Sequence, residues 1–181
     1  MTTYIGLLRA VNLAARNTIG MADLRALLGT LGLEEPRTLL QSGNVVFRAE
    51  DRTPAQLEAL IEDAVARRLG LRTDIFVRTH AEWRAVIAAN PFAAEARRDP
   101  GHLLVLALKQ AADRRAVAAL QQTITGREVV RARGRHAYVV YPDGVGRSRL
   151  TTARIEKALG TRSTGRNWNT ILKLEALAAS P

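Results

Sequence analysis

The first half of the chain alternates between short apolar runs and segments with apolar residues at helical spacing. Residues 3–11 are almost entirely apolar, which indicates a buried strand. Residues 21–31 place Met and Leu at intervals of three and four, the pattern of an amphipathic helix. Ser42 and Gly43 favour a tight turn between two short strands. The remaining elements predicted in this half are strands at 37–41, 45–48 and 74–78 and a helix at 54–69.

The helix predicted at 54–69 has the clearest start and end signals in the sequence. Thr53 is suited to cap its first turn, and Gln56 can return a hydrogen bond to that cap. Pro54 occupies the first helical position, and Gly70 can end the helix in a left-handed conformation. With this helix the order becomes β-α-β-β-α-β. That order is the split βαβ, or ferredoxin-like, arrangement, an antiparallel sheet with helices on one face.

The second half repeats most of this order, with a helix predicted where a fourth strand would stand. Pro91 interrupts a helix, and the charged stretch 93–101 is predicted as a loop between two lobes, 1–90 and 91–181. The fold class predicted is α/β (α+β): a ferredoxin-like βαββαβ lobe, then a related βαββα lobe and a C-terminal helix. The elements predicted after the loop are strands at 102–108, 127–132 and 136–141 and helices at 113–122, 150–159 and 169–178.

Composition narrows the class of protein. Of the 181 residues, 47% are apolar and 24% are charged, a balance typical of soluble globular domains. No apolar run is long enough to span a bilayer, and the N-terminus lacks the charged and apolar blocks of a secretion signal. With no cysteine, disulfides and thiol chemistry are excluded. We therefore predict a cytoplasmic protein with no membrane partner.

The formal net charge of +10 introduces nucleic acid as a candidate partner, because clustered cations neutralise phosphates. The charge comes almost entirely from arginine and is spread along the whole chain. Only 4% of residues are aromatic, and no aromatic cluster suited to base stacking is visible. A solvated arginine-rich surface is the simpler interpretation, so nucleic-acid binding is kept as an alternative.

Five motifs follow one another along the chain. They are Tyr4-Ile-x-Leu-Leu-Arg9-x-Val-Asn12, Gln41-Ser-Gly-Asn-Val-Val-Phe47, Asn90-Pro-Phe92, Tyr141-Pro-Asp-Gly-x-Gly-Arg-Ser148 and Arg166-Asn-Trp-Asn-Thr170. Together they resemble the DUF1697 family of bacterial proteins over essentially the whole chain. The resemblance implies an α/β protein built from ferredoxin-like units. It implies no particular activity, since the family is named for lacking an assigned one.

One loop departs from the pattern of that family. After the first strand the family typically reads Arg-Gly-Ile-Asn-Val-Gly-Gly, whereas here Ala10, Ala14 and Ala15 occupy the three glycine positions. Glycine permits positive φ and close backbone approach to a ligand, and alanine permits neither without strain. The departure removes support for a phosphate-cradling role of this loop.

Two polar segments near the C-terminus are candidates for binding an anion. In the first, two glycines precede Arg147 and Ser148 ahead of a helix, so backbone N–H groups and a guanidinium would serve as donors. The alternative is a turn that needs glycine for its geometry. In the second, Arg166 would act as a forked donor at the start of the last helix, with Asn167 and Asn169 beside it. The alternative there is that Asn169 or Thr170 caps the helix while a tryptophan anchors it in the core.

Arg9, Asn12 and Asn44 complete the predicted ligand-binding set. Arg9 and Asn12 lie at the end of the first strand, where hydrogen bonding to loops is the alternative, and Asn44 lies in a hairpin turn. The three histidines are far apart, and neither a metal-ligand spacing nor a nucleotide-binding fingerprint is present. We predict no metal and no cofactor.

The function predicted is binding of a small anionic ligand, a phosphorylated metabolite or a nucleotide. Sequence-tolerant nucleic-acid binding through the arginine-rich surface is the first alternative. A phosphoryl- or acyl-transfer enzyme is the second, for which the sequence shows no catalytic base. The predicted binding residues are Arg9, Asn12, Asn44, Arg147, Ser148, Arg166, Asn167 and Asn169.

Overall fold

Two compact units make up the protein. The computed structural model describes residues 1–9, 19–50 and 52–180. The N-terminal unit consists of Met1–Ala85 together with Lys173–Pro181, and the C-terminal unit is Val86–Leu172. The division into lobes 1–90 and 91–181 stays a prediction. Among the described helices, none combines the length and the apolar character that a bilayer crossing requires.

The N-terminal unit is built on a four-stranded antiparallel sheet in the order β2-β3-β1-β4. Its element order, β-α-β-β-α-β followed by a helix, confirms the ferredoxin-like arrangement predicted for this half. The strands are β1 (Thr2–Leu8), β2 (Glu34–Leu39), β3 (Asn44–Ala49) and β4 (Ile75–Thr79), and the helices are α1 (Met21–Thr30), α2 (Pro54–Leu69) and α3 (His80–Ala88).

Helix α2 forms as its sequence signals predict. The Thr53 hydroxyl accepts a hydrogen bond from the Gln56 N–H at 3.2 Å, and the Gln56 side chain accepts one from the Thr53 N–H at 2.8 Å. This reciprocal pair satisfies two N–H groups that the first turn leaves without helical partners. Gly70 ends the helix with φ of 67°. Leu57 and Ile61 on its inner face are fully buried in the core of the unit.

The outer edge of β4 is covered by two glutamates that lie one turn apart on α2. The Glu58 carboxylate accepts from the Val77 N–H at 2.8 Å, and the Glu62 carboxylate accepts from the Ile75 N–H at 2.9 Å. Arg78 donates to the Val77 carbonyl at 2.7 Å and lies 3.4 Å from Glu58. Edge groups that could otherwise pair with a foreign strand are therefore satisfied within the unit.

The C-terminal unit repeats the same topology in full, with strand order β6-β7-β5-β8. The predicted α+β class is confirmed, but the helix predicted in place of a fourth strand is wrong, because β8 is present. The stretch predicted as a charged loop also contains a short helix, α4. The elements are α4 (Ala93–Arg98), β5 (Leu103–Leu108), α5 (Arg114–Gln122), β6 (Val129–Arg133), β7 (His136–Val140), α6 (Thr152–Leu159) and β8 (Ser163–Asn167). Helix α7 (Trp168–Ala179) follows, and its residues from Lys173 onward belong to the N-terminal unit.

Strand β8 has a sequence, Ser-Thr-Gly-Arg-Asn, without the apolar alternation that predicts a strand. It forms because it pairs antiparallel with β5, where Gly165 lies opposite Leu106. A Cβ atom at Gly165 would come within 2.8 Å of the Leu104 and Leu106 Cδ2 atoms, so a side chain there would force these two leucines to move. The pairing with β5 therefore outweighs the low intrinsic strand propensity of these residues.

Two buried tyrosines make hydrogen bonds to backbone carbonyls within the C-terminal unit, Val86–Leu172. The Tyr138 hydroxyl donates to the Val86 carbonyl at 2.7 Å, and the Tyr141 hydroxyl donates to the Leu150 carbonyl at 3.0 Å. Both side chains are almost fully buried. Burial raises the pKa of each phenol to about 12, because the phenolate would lose its hydration.

The buried tyrosines predict a loss of stability in alkali. The unfolded chain releases the phenolic protons near pH 10 and the native protein near pH 12, so their stabilisation is complete below about pH 10 and is lost as the pH rises toward 12. We expect the free energy of unfolding to fall by about 1.4 kcal/mol per pH unit for each tyrosine in that interval. Denaturant unfolding at several alkaline pH values measures this slope. Tyr141→Phe should reduce this slope by the contribution of one tyrosine. An unchanged slope would contradict the raised pKa of Tyr141.

Candidate functional site

Arg9 and Asn44 have structural roles in the N-terminal unit. The Arg9 guanidinium lies 3.5 Å from the Asp74 carboxylate, and its backbone N–H donates to the Asp74 carbonyl at 2.9 Å. The Arg9 carbonyl accepts from the Thr73 hydroxyl at 2.5 Å, which fixes the end of β1 against the loop before β4. Asn44 is fully buried, and its amide donates to the Leu39 carbonyl at 2.9 Å and the Ser42 hydroxyl at 2.8 Å. These contacts favour the loop and turn interpretations of both residues.

Asn12, the third predicted residue from this half, lies outside the described residues. The same is true of Ala10, Ala14 and Ala15, the positions at which the sequence departs from the family pattern.

Arg166 is held along the edge of β8. Its guanidinium donates to the Gly165 carbonyl at 2.8 Å and to the Thr164 hydroxyl at 3.0 Å. Burial lowers the pKa of Arg166 to about 10, so the side chain still carries its charge at neutral pH. The contacts are those of a residue that satisfies the edge of a sheet.

Asn167 caps the last helix. Its side-chain oxygen accepts from the Thr170 N–H at 3.0 Å, and α7 begins at the next residue, Trp168. The prediction that Asn169 or Thr170 forms the cap is therefore wrong by two residues or more, because the helix starts directly at the end of β8. Asn169 is exposed in the first turn of α7, and Trp168 is buried, as the anchoring interpretation expected.

Ser148 ties the loop after β7 to the segment before β6. Its hydroxyl donates to the Glu128 carboxylate and accepts from the Leu150 N–H at 3.0 Å. Gly144, with φ of 85°, turns the chain into this loop in a conformation that glycine adopts without strain. The turn interpretation of the two glycines is thus supported at Gly144. The Ser148 hydroxyl therefore already makes two hydrogen bonds within the unit.

The same loop and the first turn of α6 enclose a cavity of about 250 Å³. We call it the arginine cavity, because it is lined by Arg147, Arg149 and Arg154. The Arg154 guanidinium donates to the Thr123 carbonyl at 2.7 Å and to its hydroxyl at 2.9 Å, so it is held in place. Arg147 and Arg149 are exposed, and within the described residues their guanidinium groups make no hydrogen bond or ion pair.

Asp143 marks one edge of the arginine cavity. It forms a two-point ion pair with Arg127, in which Nε of the guanidinium lies 3.2 Å from one carboxylate oxygen and Nη2 bonds to the other. The hydrogen bond from Arg127 lowers the pKa of the Asp143 carboxyl, and the charge of Arg147 adds to the effect. The same bond raises the pKa of Arg127. Asp143 is therefore ionised throughout the neutral range.

The structure brings together only part of the predicted set in the C-terminal unit. Arg147 and Ser148 line the arginine cavity, whereas Arg166, Asn167 and Asn169 do not. Sequence reasoning missed Arg149 and Arg154 on its wall. A usable signal for Arg154 was its place in the first turn after a capping threonine, Thr151. Among the residues that the structure describes, no group of three or more His, Asp and Glu could hold a metal ion.

The fold defines an α+β protein made of two units with the same ferredoxin-like topology. The model of the DUF1697 family, described as a protein of unknown function, matches residues 1–138, so the chain belongs to the DUF1697 family. It is similar in structure to the conserved bacterial protein SP0830 from Streptococcus pneumoniae, with a TM-score of 0.78 and 23% sequence identity over 99% of each chain. At that identity the likeness supports the fold alone. No curated protein matches the chain.

Proposed function

We propose that the protein binds a small anionic ligand, a phosphorylated metabolite or a nucleotide, in the arginine cavity. The observation that carries the proposal is the pair of exposed guanidinium groups on Arg147 and Arg149 beside the anchored Arg154. Guanidinium groups present planar sets of N–H donors that match the oxygens of phosphate. Two of the three donors have no protein partner within the described residues and are free to turn toward a ligand.

Two carboxylates limit what the cavity accepts. Asp143 and Glu128 both line it, and an anion placed beside them would be repelled. Both carboxylates already have partners, because Asp143 is paired with Arg127 and Glu128 accepts from the Ser148 hydroxyl. A phosphate is therefore expected beside the arginines of the cavity and away from these two carboxylates.

The other residues of the predicted set are not part of this proposal. The side chains of Asn44, Arg166 and Asn167 make hydrogen bonds that hold a turn, a sheet edge and a helix start, and the Arg9 guanidinium is paired with Asp74. Recruiting the first three side chains to a ligand would break these hydrogen bonds, at a cost of about 1 kcal/mol or more each.

The test is the binding of inorganic phosphate and ribose 5-phosphate, followed by calorimetry or amide chemical shifts. We expect the double variant Arg147→Ala with Arg149→Ala to bind at least about tenfold more weakly, because each charge-assisted contact contributes about 1.5–3 kcal/mol. The residues whose amide signals move should be those of the loop after β7.

A matched control separates a local site from general attraction by positive charge. Arg114→Ala with Arg115→Ala removes the same charge from two exposed positions at the start of α5. It should leave phosphate affinity unchanged. If both double variants weaken binding equally, and the affinity falls steeply with salt, the arginine cavity is not the site and the nucleic-acid alternative gains support.

A further inference from the structure

A second cavity, of about 460 Å³, lies next to the arginine cavity in the C-terminal unit. We call it the histidine cavity. Its volume falls in the range of small-molecule sites, and its lining combines apolar side chains with several charged ones. The half-buried ring of Phe92 is the aromatic surface. Its lining includes Phe92, Glu95, Asp99, His102, Arg127 and Pro142.

The polar groups of the histidine cavity include several hydrogen-bond acceptors. His102 Nδ1 lies 2.7 Å from the Asp99 carboxylate. Because a carboxylate at neutral pH can only accept, we assign the proton to Nδ1, which leaves the lone pair of the neutral ring on Nε2. Within the described residues Nε2 makes no hydrogen bond. Gly144 lies beside this nitrogen, since a Cβ atom built on it would be 3.6 Å from Nε2, an ordinary contact distance.

The two cavities share a wall. Glu128 and Asp143 line the arginine cavity, whereas Arg127 and Pro142, their chain neighbours, line the histidine cavity. The ion pair between Arg127 and Asp143 links the linings of the two cavities, and both side chains are exposed. A ligand that fills both cavities must therefore cross this pair.

We propose that the two cavities form one binding site for a nucleoside monophosphate whose base carries an amino group. This inference rests on the proposed function, because the phosphate occupies the arginine cavity. The base lies in the histidine cavity against Phe92, where aromatic stacking is favourable for any base. Its amino group donates to His102 Nε2 or to Glu95, and the ribose hydroxyls lie over Asp143, a carboxylate that accepts from them.

Adenosine 5′-monophosphate and ribose 5-phosphate are the probes, since the base of the first replaces the anomeric hydroxyl of the second. We expect wild-type protein to bind adenosine 5′-monophosphate at least about tenfold more tightly. Phe92→Ala and His102→Ala should each remove most of that advantage and leave the affinity for ribose 5-phosphate unchanged. In wild-type protein the ring C–H signals of His102 should shift with adenosine 5′-monophosphate and stay in place with ribose 5-phosphate.

The outcomes separate the inference from the proposed function. If both probes bind equally, or if neither variant weakens adenosine 5′-monophosphate, the inference is overturned, while loss of both ligands in the Arg147→Ala, Arg149→Ala variant would still support anion binding. If neither probe binds wild-type protein, both proposals fail. Phe92→Leu, which keeps the apolar volume without the aromatic face, guards against misfolding of the alanine variant. It should bind adenosine 5′-monophosphate more weakly than wild type, and wild-type affinity would overturn the stacking step.

Discussion

Arg78→Ala should destabilise the N-terminal unit by about 3–5 kcal/mol, the range for a buried ion pair that loses one partner. Arg78 is 1% exposed and Glu58 is 7% exposed, so removal of the guanidinium leaves a carboxylate in a poorly hydrated place. Glu58 cannot simply turn outward, because it also accepts from the Val77 N–H. Denaturant unfolding, with amide exchange at Val77 as the local readout, measures the loss.

Two control variants make this expectation sharp. Arg67→Ala removes an exposed arginine from the same unit, one paired with Asp63 at 2.8 Å on the surface of α2, and should cost no more than about 0.5 kcal/mol. Arg78→Met combined with Glu58→Gln removes both charges but keeps an acceptor for Val77, so it should recover much of the stability. Equal losses for Arg67→Ala and Arg78→Ala would show that burial of the pair has no energetic consequence.

Most of the fold was predictable because its signals are local. The Thr53 and Gln56 capping box, the glycine at position 70 and the turn before Asn44 each act within a few residues, and each formed as expected. The fourth strand of the C-terminal unit was not predictable in this way. Its partner, β5, is more than fifty residues away in the sequence, and its own residues give no period-two pattern.

The candidate site was less predictable than the fold for a related reason. Sequence patterns identified Arg147 and Ser148 as members of a polar loop, but they gave no information on what each side chain contacts. Arg166 shows the difference: a forked donor near a helix start was a reasonable candidate, yet its guanidinium is bonded to the Gly165 carbonyl along the sheet edge. No sequence motif pointed to Arg149, because the path of the loop determines whether its side chain lines the cavity.

The edge strands β4 and β8 are stabilised by the same set of side-chain contacts, which the sequence alone did not reveal. Arg166 lies opposite Val105, and its guanidinium donates to the carbonyl of the preceding residue. Arg78 lies opposite Ile5, and its guanidinium likewise donates to the carbonyl of the residue before it. Each edge also receives a glutamate from the preceding helix. Glu156 on α6 accepts from the Ser163 N–H at 2.7 Å, the counterpart of Glu62 on α2. Matching contacts at matching register positions support a duplicated unit in which these polar positions have been kept.

Glu156→Ala should therefore destabilise the C-terminal unit by about 1.5–3 kcal/mol, since the Ser163 N–H, in a residue 1% exposed, would lose a charged acceptor with no water to replace it. The Ser163 hydroxyl, 3.2 Å from the same carboxylate oxygen, would lose its partner too.

Glu156→Gln keeps a carbonyl acceptor and should cost less than the alanine variant. Lys157→Ala, at an exposed neighbouring position, should stay within about 0.5 kcal/mol of wild type. Amide exchange at Ser163 should accelerate in Glu156→Ala alone. Unchanged exchange there would mean that β8 is held by its pairing with β5 and not by the glutamate.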